Sequence, residues 1–315
     1  MKPFPASLTV ETLCLSIQNR QYQQQMPLFL KISKISKISS KTLSKVILVA
    51  AFLLISHSIA HAWHTIASPS NNEQTVIFGS YANGCIDGAI TIPTTGLSYQ
   101  QVRPSRNRHY GAPEMADFIA KIDRWALSEN QILIFGDISQ PRGGPANFGH
   151  ASHQTGLDID IWFEDRNEPL PESLIEKLVT PSVVNPKKGE LNQHWRPFYR
   201  DLLYYSATNP QTERIFINPV IKAALCQSEE DRSWLQKLRP WFGHDSHFHI
   251  RLQCPKDSEH CIPQAPIPVG DGCNQDLQNW VNDQINWHLN PPKKSAPIDK
   301  PPKVLPIECQ VIKNK

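Results

Sequence analysis

Two stretches decide how this chain folds: HFHIRL at His247–Leu252 and LDIDIWF at Leu157–Phe163. In a strand successive side chains point to opposite faces, so residues two apart share one. The first stretch puts His247, His249 and Arg251 on one face and Phe248, Ile250 and Leu252 on the other. The second sets Asp158, Asp160 and Trp162 opposite Leu157, Ile159 and Ile161. Each reads as a half-buried strand. If the two are antiparallel neighbours, imidazoles and a carboxylate converge on one solvent-facing groove while the apolar sides share a core.

Working outward, Ile132–Ile138 (ILIFGDI) is a short apolar run suited to a buried strand, and Gln140–Gly149 (QPRGGPANFG) is a Gly and Pro loop that delivers His150 and His153. Gly143-Gly144 lacks the Lys-Ser/Thr or the third glycine of a phosphate cradle. Upstream, Phe78–Pro93 reads as a loop with short strands. Met115, Phe118, Ile119, Ile122, Trp125 and Ala126 recur at helical spacing behind Pro113, which suits a first turn. Residues 164–194, with four prolines, read as a loop that forms a rim or lid. A helix is expected over Pro197–Ser206, a strand over Arg214–Asn218, and helical pieces around Ile221–Leu225 and Ser233–Leu238. No internal repeat is visible. The reading is a single α+β domain whose antiparallel sheet carries the site, with flanking helices.

The polar faces of the two strands are what a metal site needs. Neutral imidazole and carboxylate suit zinc, and a catalytic zinc keeps three protein ligands and one open position. His153, Asp160 and His249 meet that requirement. Zinc polarises a carbonyl and brings a water's pKa to about 7, so amide hydrolysis is the natural chemistry. His247, beside His249 on the same face, is the candidate base, and His244 the candidate to bind a developing oxyanion or support His247. Asp158, also on the ligand face, is a candidate to orient an N–H from behind. Ser152 beside His153 and Ser246 beside His247 are adjacent on the chain and point apart, which sets aside a serine hydrolase.

The chain has 315 residues, 40% hydrophobic and 19% charged, enough for a substantial core. Seven Lys or Arg and one acid lie in the first 62 residues, turning the net charge of +3 for the whole chain into −3 for residues 63–315. That excludes the basic footprint of a nucleic-acid partner. Val46–Ile55 (VILVAAFLLI), shorter than the about 20 residues of a membrane span, follows scattered lysines and precedes Ala60-His61-Ala62. It reads as a secretory leader cut before Trp63, with Met26 an alternative start, and leaves no stable membrane anchor. Six cysteines remain after the leader, an even count that suits three disulfides in an oxidising compartment, although six allow 15 pairings. The division is then 1–62 leader, 63–285 catalytic domain and 286–315 a proline-rich tail, extended between Pro291 and Pro306 and tied back by Cys309.

GHASHQTGLDIDI (Gly149–Ile161) and WFGHDSHFHIRL (Trp241–Leu252) closely resemble the penicillin-insensitive murein endopeptidases. These belong to a wider group that includes the lysostaphin-type and D-alanyl-D-alanine-type metallopeptidases and hedgehog domains, which share an H-x6-D and H-x-H zinc signature. Asn83-Gly84-Cys85, Arg239-Pro240-Trp241-Phe242 and Gly270-Asp271-Gly272-Cys273 match as well. The resemblance implies the hedgehog-like and D-Ala-D-Ala-peptidase-like fold, zinc on His153, Asp160 and His249, catalysis by His247 with His244 assisting, and a second metal position at His150. It implies the pairs Cys85 with Cys309, Cys226 with Cys273 and Cys254 with Cys261. It also implies a periplasmic zinc endopeptidase acting on D-alanyl-meso-diaminopimelyl cross-links of peptidoglycan. A D,D-carboxypeptidase or dipeptidase on stem peptides and a non-catalytic zinc- or peptidoglycan-binding module are the rival readings.

Overall fold

The computed structural model describes residues 62–292 and 303–315. The expected leader therefore lies outside the described residues, except for Ala62, and so does most of the proline-rich run. In chain order the strands are β1 (Val76–Ser80), β2 (Asn83–Asp87), β3 (Ile90–Thr91), β4 (Tyr99–Gln101), β5 (Tyr110–Gly111), β6 (Leu133–Phe135), β7 (Asp158–Trp162), β8 (Val184–Asn185), β9 (Glu190–Leu191), β10 (Thr212–Ile217), β11 (Leu238–Pro240) and β12 (His247–Leu252). The α-helices are α1 (Pro113–Ser128), α2 (Glu172–Ile175), α3 (Pro197–Thr208), α4 (Pro219–Ser228), α5 (Gln275–Leu289) and α6 (Ile307–Asn314). The architecture is α+β.

Its centre is a six-stranded sheet in the order β11-β10-β12-β7-β6-β4. The two deciding stretches are indeed antiparallel neighbours, with His249 opposite Asp160, His247 opposite Trp162 and Arg251 opposite Asp158. One slip of register would turn every histidine into the core, so the apolar face sets this alignment. Ile159, Ile161, Phe248, Ile250 and Leu252 are fully buried there, each worth about 1.5–3 kcal/mol of apolar burial.

The helices cover that apolar face for reasons visible in their sequences. Helix α1 starts on Pro113, whose missing N–H costs nothing in a first turn, and buries Met115, Phe118, Ile119, Ile122 and Ala126. Its Trp125 stacks on Phe198 and Tyr205 of α3 at centroid distances of 5.6 and 4.8 Å. Helix α4 begins at Asn218, whose side chain accepts from the Val220 N–H.

The sheet is antiparallel where it carries the two deciding stretches, but it is mixed at its edges, where β10–β11 and β4–β6 run parallel, and other segments also depart from the sequence expectation. Residues 164–194 carry α2 and the β8–β9 hairpin. Helix α5 spans Gln275–Leu289 and buries Leu277, Val281 and Gln284. The chain after Pro306 forms α6, which packs Cys309 and Ile312 against Trp63 and Cys85. The bonded cysteines are Cys85–Cys309, Cys226–Cys273 and Cys254–Cys261, the pairs that the family resemblance implies. Among the described residues no helix is long and apolar enough to cross a membrane.

Candidate metal centre

The polar face of β7 and β12 is not an open groove. Asp158 is fully buried, and His153, Asp160, His249 and Arg251 are each no more than 6% exposed. Alternation had suggested water on this side, but the 138–157 loop brings His153 onto it and the Tyr81 ring covers Arg251. A buried polar face must be internally satisfied, and the way it is satisfied defines the site.

Asp158 anchors it. Its carboxylate accepts from His249 Nε2 at 2.9 Å, from Arg251 Nε at 2.8 Å and from the backbone N–H of His153 at 2.9 Å. Arg251 is in turn sandwiched by the rings of Tyr81 and Phe216, 4.2 and 5.0 Å from its guanidinium. Burial opposes ionisation of Asp158, but Arg251 and His249 hold its carboxyl well below the usual range. His153 sits in the left-handed region, at φ +63°, a conformation unfavourable for a residue with a Cβ. The hydrogen bond from its N–H to Asp158 fixes it there. Gly156, at φ +71°, completes the turn: a Cβ would stand 2.9 Å from the Ala112 nitrogen.

These contacts select the tautomers. His153 Nδ1 donates to the Ile138 carbonyl at 2.7 Å, so in the neutral ring Nε2 bears the lone pair; His249 Nε2 donates to Asp158, so Nδ1 bears one. The two nitrogens face each other across 3.2 Å, and in the metal-free protein a proton on His153 Nε2 bridges them. Asp160 Oδ1 lies 3.4 Å from His153 Nε2 and 3.5 Å from His249 Nδ1 and is buried with no hydrogen-bond donor. Three electron-rich atoms thus form a triangle with sides of 3.2, 3.4 and 3.5 Å. Ligands at about 2.0–2.1 Å from a tetrahedral zinc stand about 3.3–3.4 Å apart. The residues present fit such an ion. The demand for positive charge shows in His153 as well: burial alone would lower its pKa, yet Asp160, Asp158 and Asp137 raise it to about 9.

His150 belongs to the same cluster, its ligand atom within 4.8 Å of those of His153 and Asp160. Its Nε2, however, meets Asp137 Oδ2 at 2.9 Å and Asp160 Oδ2 only at 3.6 Å. Asp137 already takes Arg106 and Arg108 at 3.1 and 2.8 Å. With two guanidiniums balancing that carboxylate, a second cation has little charge to recruit it. Asp137 was missed in the sequence, although it lies inside the apolar run ILIFGDI, where a buried carboxylate demands a partner.

His247 and His244 line the approach to the triangle. Burial lowers the pKa of His247, and its Nδ1 has no partner among the described residues. Its ring lies 5.2 Å from Trp162 and 5.0 Å from His244. His244, at φ +49° after Gly243, donates Nδ1–H to the Phe242 carbonyl at 3.2 Å. Burial and the neighbouring His247 lower its pKa to about 4. In that neutral tautomer Nε2 is an acceptor, so the geometry favours support of His247 over donation to an oxyanion.

A fold that holds two imidazoles and a carboxylate around one point is joined by similarity over the whole domain. The profile of the penicillin-insensitive murein endopeptidases matches residues 77–314. The penicillin-insensitive murein endopeptidase of Haemophilus influenzae is 41% identical over 252 residues, covering 78% of this chain and 85% of the relative. That of Klebsiella pneumoniae is 36% identical over 273 residues, covering 85% and 96%, and that of Yersinia enterocolitica is 37% identical over 257 residues, covering 80% and 90%. The chain belongs to the penicillin-insensitive murein endopeptidase family.

Proposed function

We propose that this protein is an exported, periplasmic zinc endopeptidase that hydrolyses D-alanyl-meso-diaminopimelyl cross-links of peptidoglycan. The observation that carries the reading is the triangle of His153 Nε2, Asp160 Oδ1 and His249 Nδ1, three ligand atoms at zinc-ligand spacing in a pocket that holds positive charge. A zinc ion held by these three residues would supply Lewis acidity for a scissile carbonyl and would acidify water. Penicillin insensitivity follows, because the site offers no serine for a β-lactam to acylate.

The remaining residues have roles their own geometry supports. His247, kept neutral by burial and with a ring nitrogen unpartnered by protein, accepts the proton of the attacking water. His244 shields and supports it at 5.0 Å. Asp158 holds His249 in the tautomer that aims Nδ1 at the centre. One ion is proposed, since Arg106 and Arg108 already neutralise Asp137 beside His150. Residues 1–62 are proposed as the leader, 63–285 as the catalytic domain and the remainder as a tail tied back through Cys309.

Equilibrium dialysis against zinc tests the ligand set. One ion per chain is expected in the wild type, and Asp160→Ala should weaken it by more than the about 10–100-fold that loss of a supporting residue costs. Undiminished zinc binding in that variant would remove Asp160 from the site.

A further inference from the structure

The loop that carries His244 has a second side. Phe242, Gly243 and Asp245 line a cavity of about 480 Å³, closed by Asn218 and by Asp283, Gln284, Trp287 and His288 of α5. That volume lies in the range of ligand pockets, about 300–1,000 Å³. The loop is braced from this side. Asn218 donates its N–H to the His244 carbonyl at 3.0 Å and its Nδ2 to the Gly243 carbonyl at 2.8 Å, and it exchanges amide hydrogen bonds with the buried Gln284. The cavity wall and the loop of the candidate metal centre are thus one rigid piece.

Its chemistry is unusual for a surface. Phe242 and Trp287 are 48% and 57% exposed, and Trp280 leans on Phe242 at 4.6 Å. Such a patch of large exposed rings marks a contact site. The polar groups at the rim are acceptors. The Asp245 and Asp283 side chains make no hydrogen bond or ion pair to protein among the described residues. His288 donates Nδ1–H to the Gln284 carbonyl at 2.8 Å, which leaves Nε2 as an acceptor. An occupant must offer apolar faces to the rings and several N–H or O–H donors to the rim. A stem peptide rich in carboxylates would be repelled by the two aspartates. An uncharged N-acetylated sugar has the required C–H faces, hydroxyls and acetamide N–H.

We infer that the cavity between the Phe242–Asp245 loop and α5 is a saccharide subsite that holds the glycan strand of the substrate while the attached peptide reaches the metal centre. This rests on the murein reading above and adds a binding element to it.

Kinetics and titration separate the two. Trp287→Ala and Asp283→Asn alter exposed side chains of α5, away from the catalytic groups. On cross-linked dimers that carry their disaccharides, each should raise KM about five- to tenfold with kcat unchanged. On the same cross-linked peptide stripped of sugar, KM should match the wild type. Separately, the N-acetylglucosaminyl-N-acetylmuramic acid disaccharide with its lactyl carboxyl amidated, and therefore uncharged as in murein, should shift the indole N–H resonances of Trp280 and Trp287 in the zinc-loaded protein. Equal effects of the variants on both substrates, or no effect on either, would overturn the inference. Unmoved indoles would give the cavity to another occupant and overturn it as well. If the wild type cleaves neither substrate while the disaccharide moves the indoles, the subsite stands and the endopeptidase reading falls.

Discussion

Replacing Asp158 by Asn should damage stability and metal binding together. The carboxylate is fully buried and receives four donors: His249 Nε2, Arg251 Nε and Nη2, and the His153 N–H. Asparagine keeps one acceptor oxygen and turns an N–H₂ toward the other donors. It also leaves the Arg251 guanidinium without its counter-charge. Breaking one partner of a buried pair costs about 3–5 kcal/mol. With a urea slope of about 2–3 kcal/mol per M, the unfolding midpoint should fall by about 1–2.5 M. The His249 ring loses the partner that fixes its tautomer, so zinc affinity should drop about 10–100-fold. Urea unfolding followed by tryptophan fluorescence, with and without chelator, reads the first effect; competition with a zinc indicator reads the second. A variant with wild-type midpoint and wild-type affinity would refute the view that Asp158 organises the centre. Loss of stability without loss of affinity would refute the tautomer argument alone.

Three further outcomes follow from the same geometry. His247→Ala should keep its zinc and lose about 10²–10⁴-fold in turnover; zinc loss or undiminished turnover would remove His247 from its role. In the metal-free protein, the stability contributed by charged His153 is complete below the unfolded value of 6.5 and is lost as pH rises through about 9. Thermal unfolding between pH 6 and 9 should therefore show declining stability without zinc, while zinc affinity rises over the same interval because the ion needs the neutral ring; a flat metal-free profile would contradict this. Cys309→Ser opens a link of sequence separation 224 and should cost about 2–5 kcal/mol by calorimetry while leaving zinc affinity unchanged. A loss of zinc would show that α6 reaches the centre in a way its packing against Trp63 and Cys85 does not indicate.

Much of the sheet was legible because period-two alternation is a local property. HFHIRL and LDIDIWF give their own faces, and the pairing of Phe248 with Ile161 follows once both apolar sides need one core. Helix α1 was legible for the same reason, its apolar residues recurring behind Pro113. What alternation hides is the fate of the polar face. Asp158 and Arg251 looked solvent-facing, but they neutralise one another, and that lets a loop close over them. Asp137 was invisible as a partner of His150 because the contact depends on how the 138–157 loop returns to the sheet, a tertiary matter with no periodic signal. Residues 164–194 read as loop because their prolines mask strands of two residues and a helix of one turn. The turn that carries His153 was signalled only by the glycines around it, and its left-handed backbone depends on a hydrogen bond to a residue five positions on.

The central claim is that the His153, Asp160 and His249 centre cuts cross-links within murein. Digestion of purified cross-linked muropeptide dimers by residues 63–315, with and without chelator, followed by mass spectrometry, tests it most directly. The account predicts chelator-sensitive conversion of dimers to monomers, with a new D-alanine carboxyl on one product and a free diaminopimelate amine on the other. Intact dimers in the presence of bound zinc would contradict it.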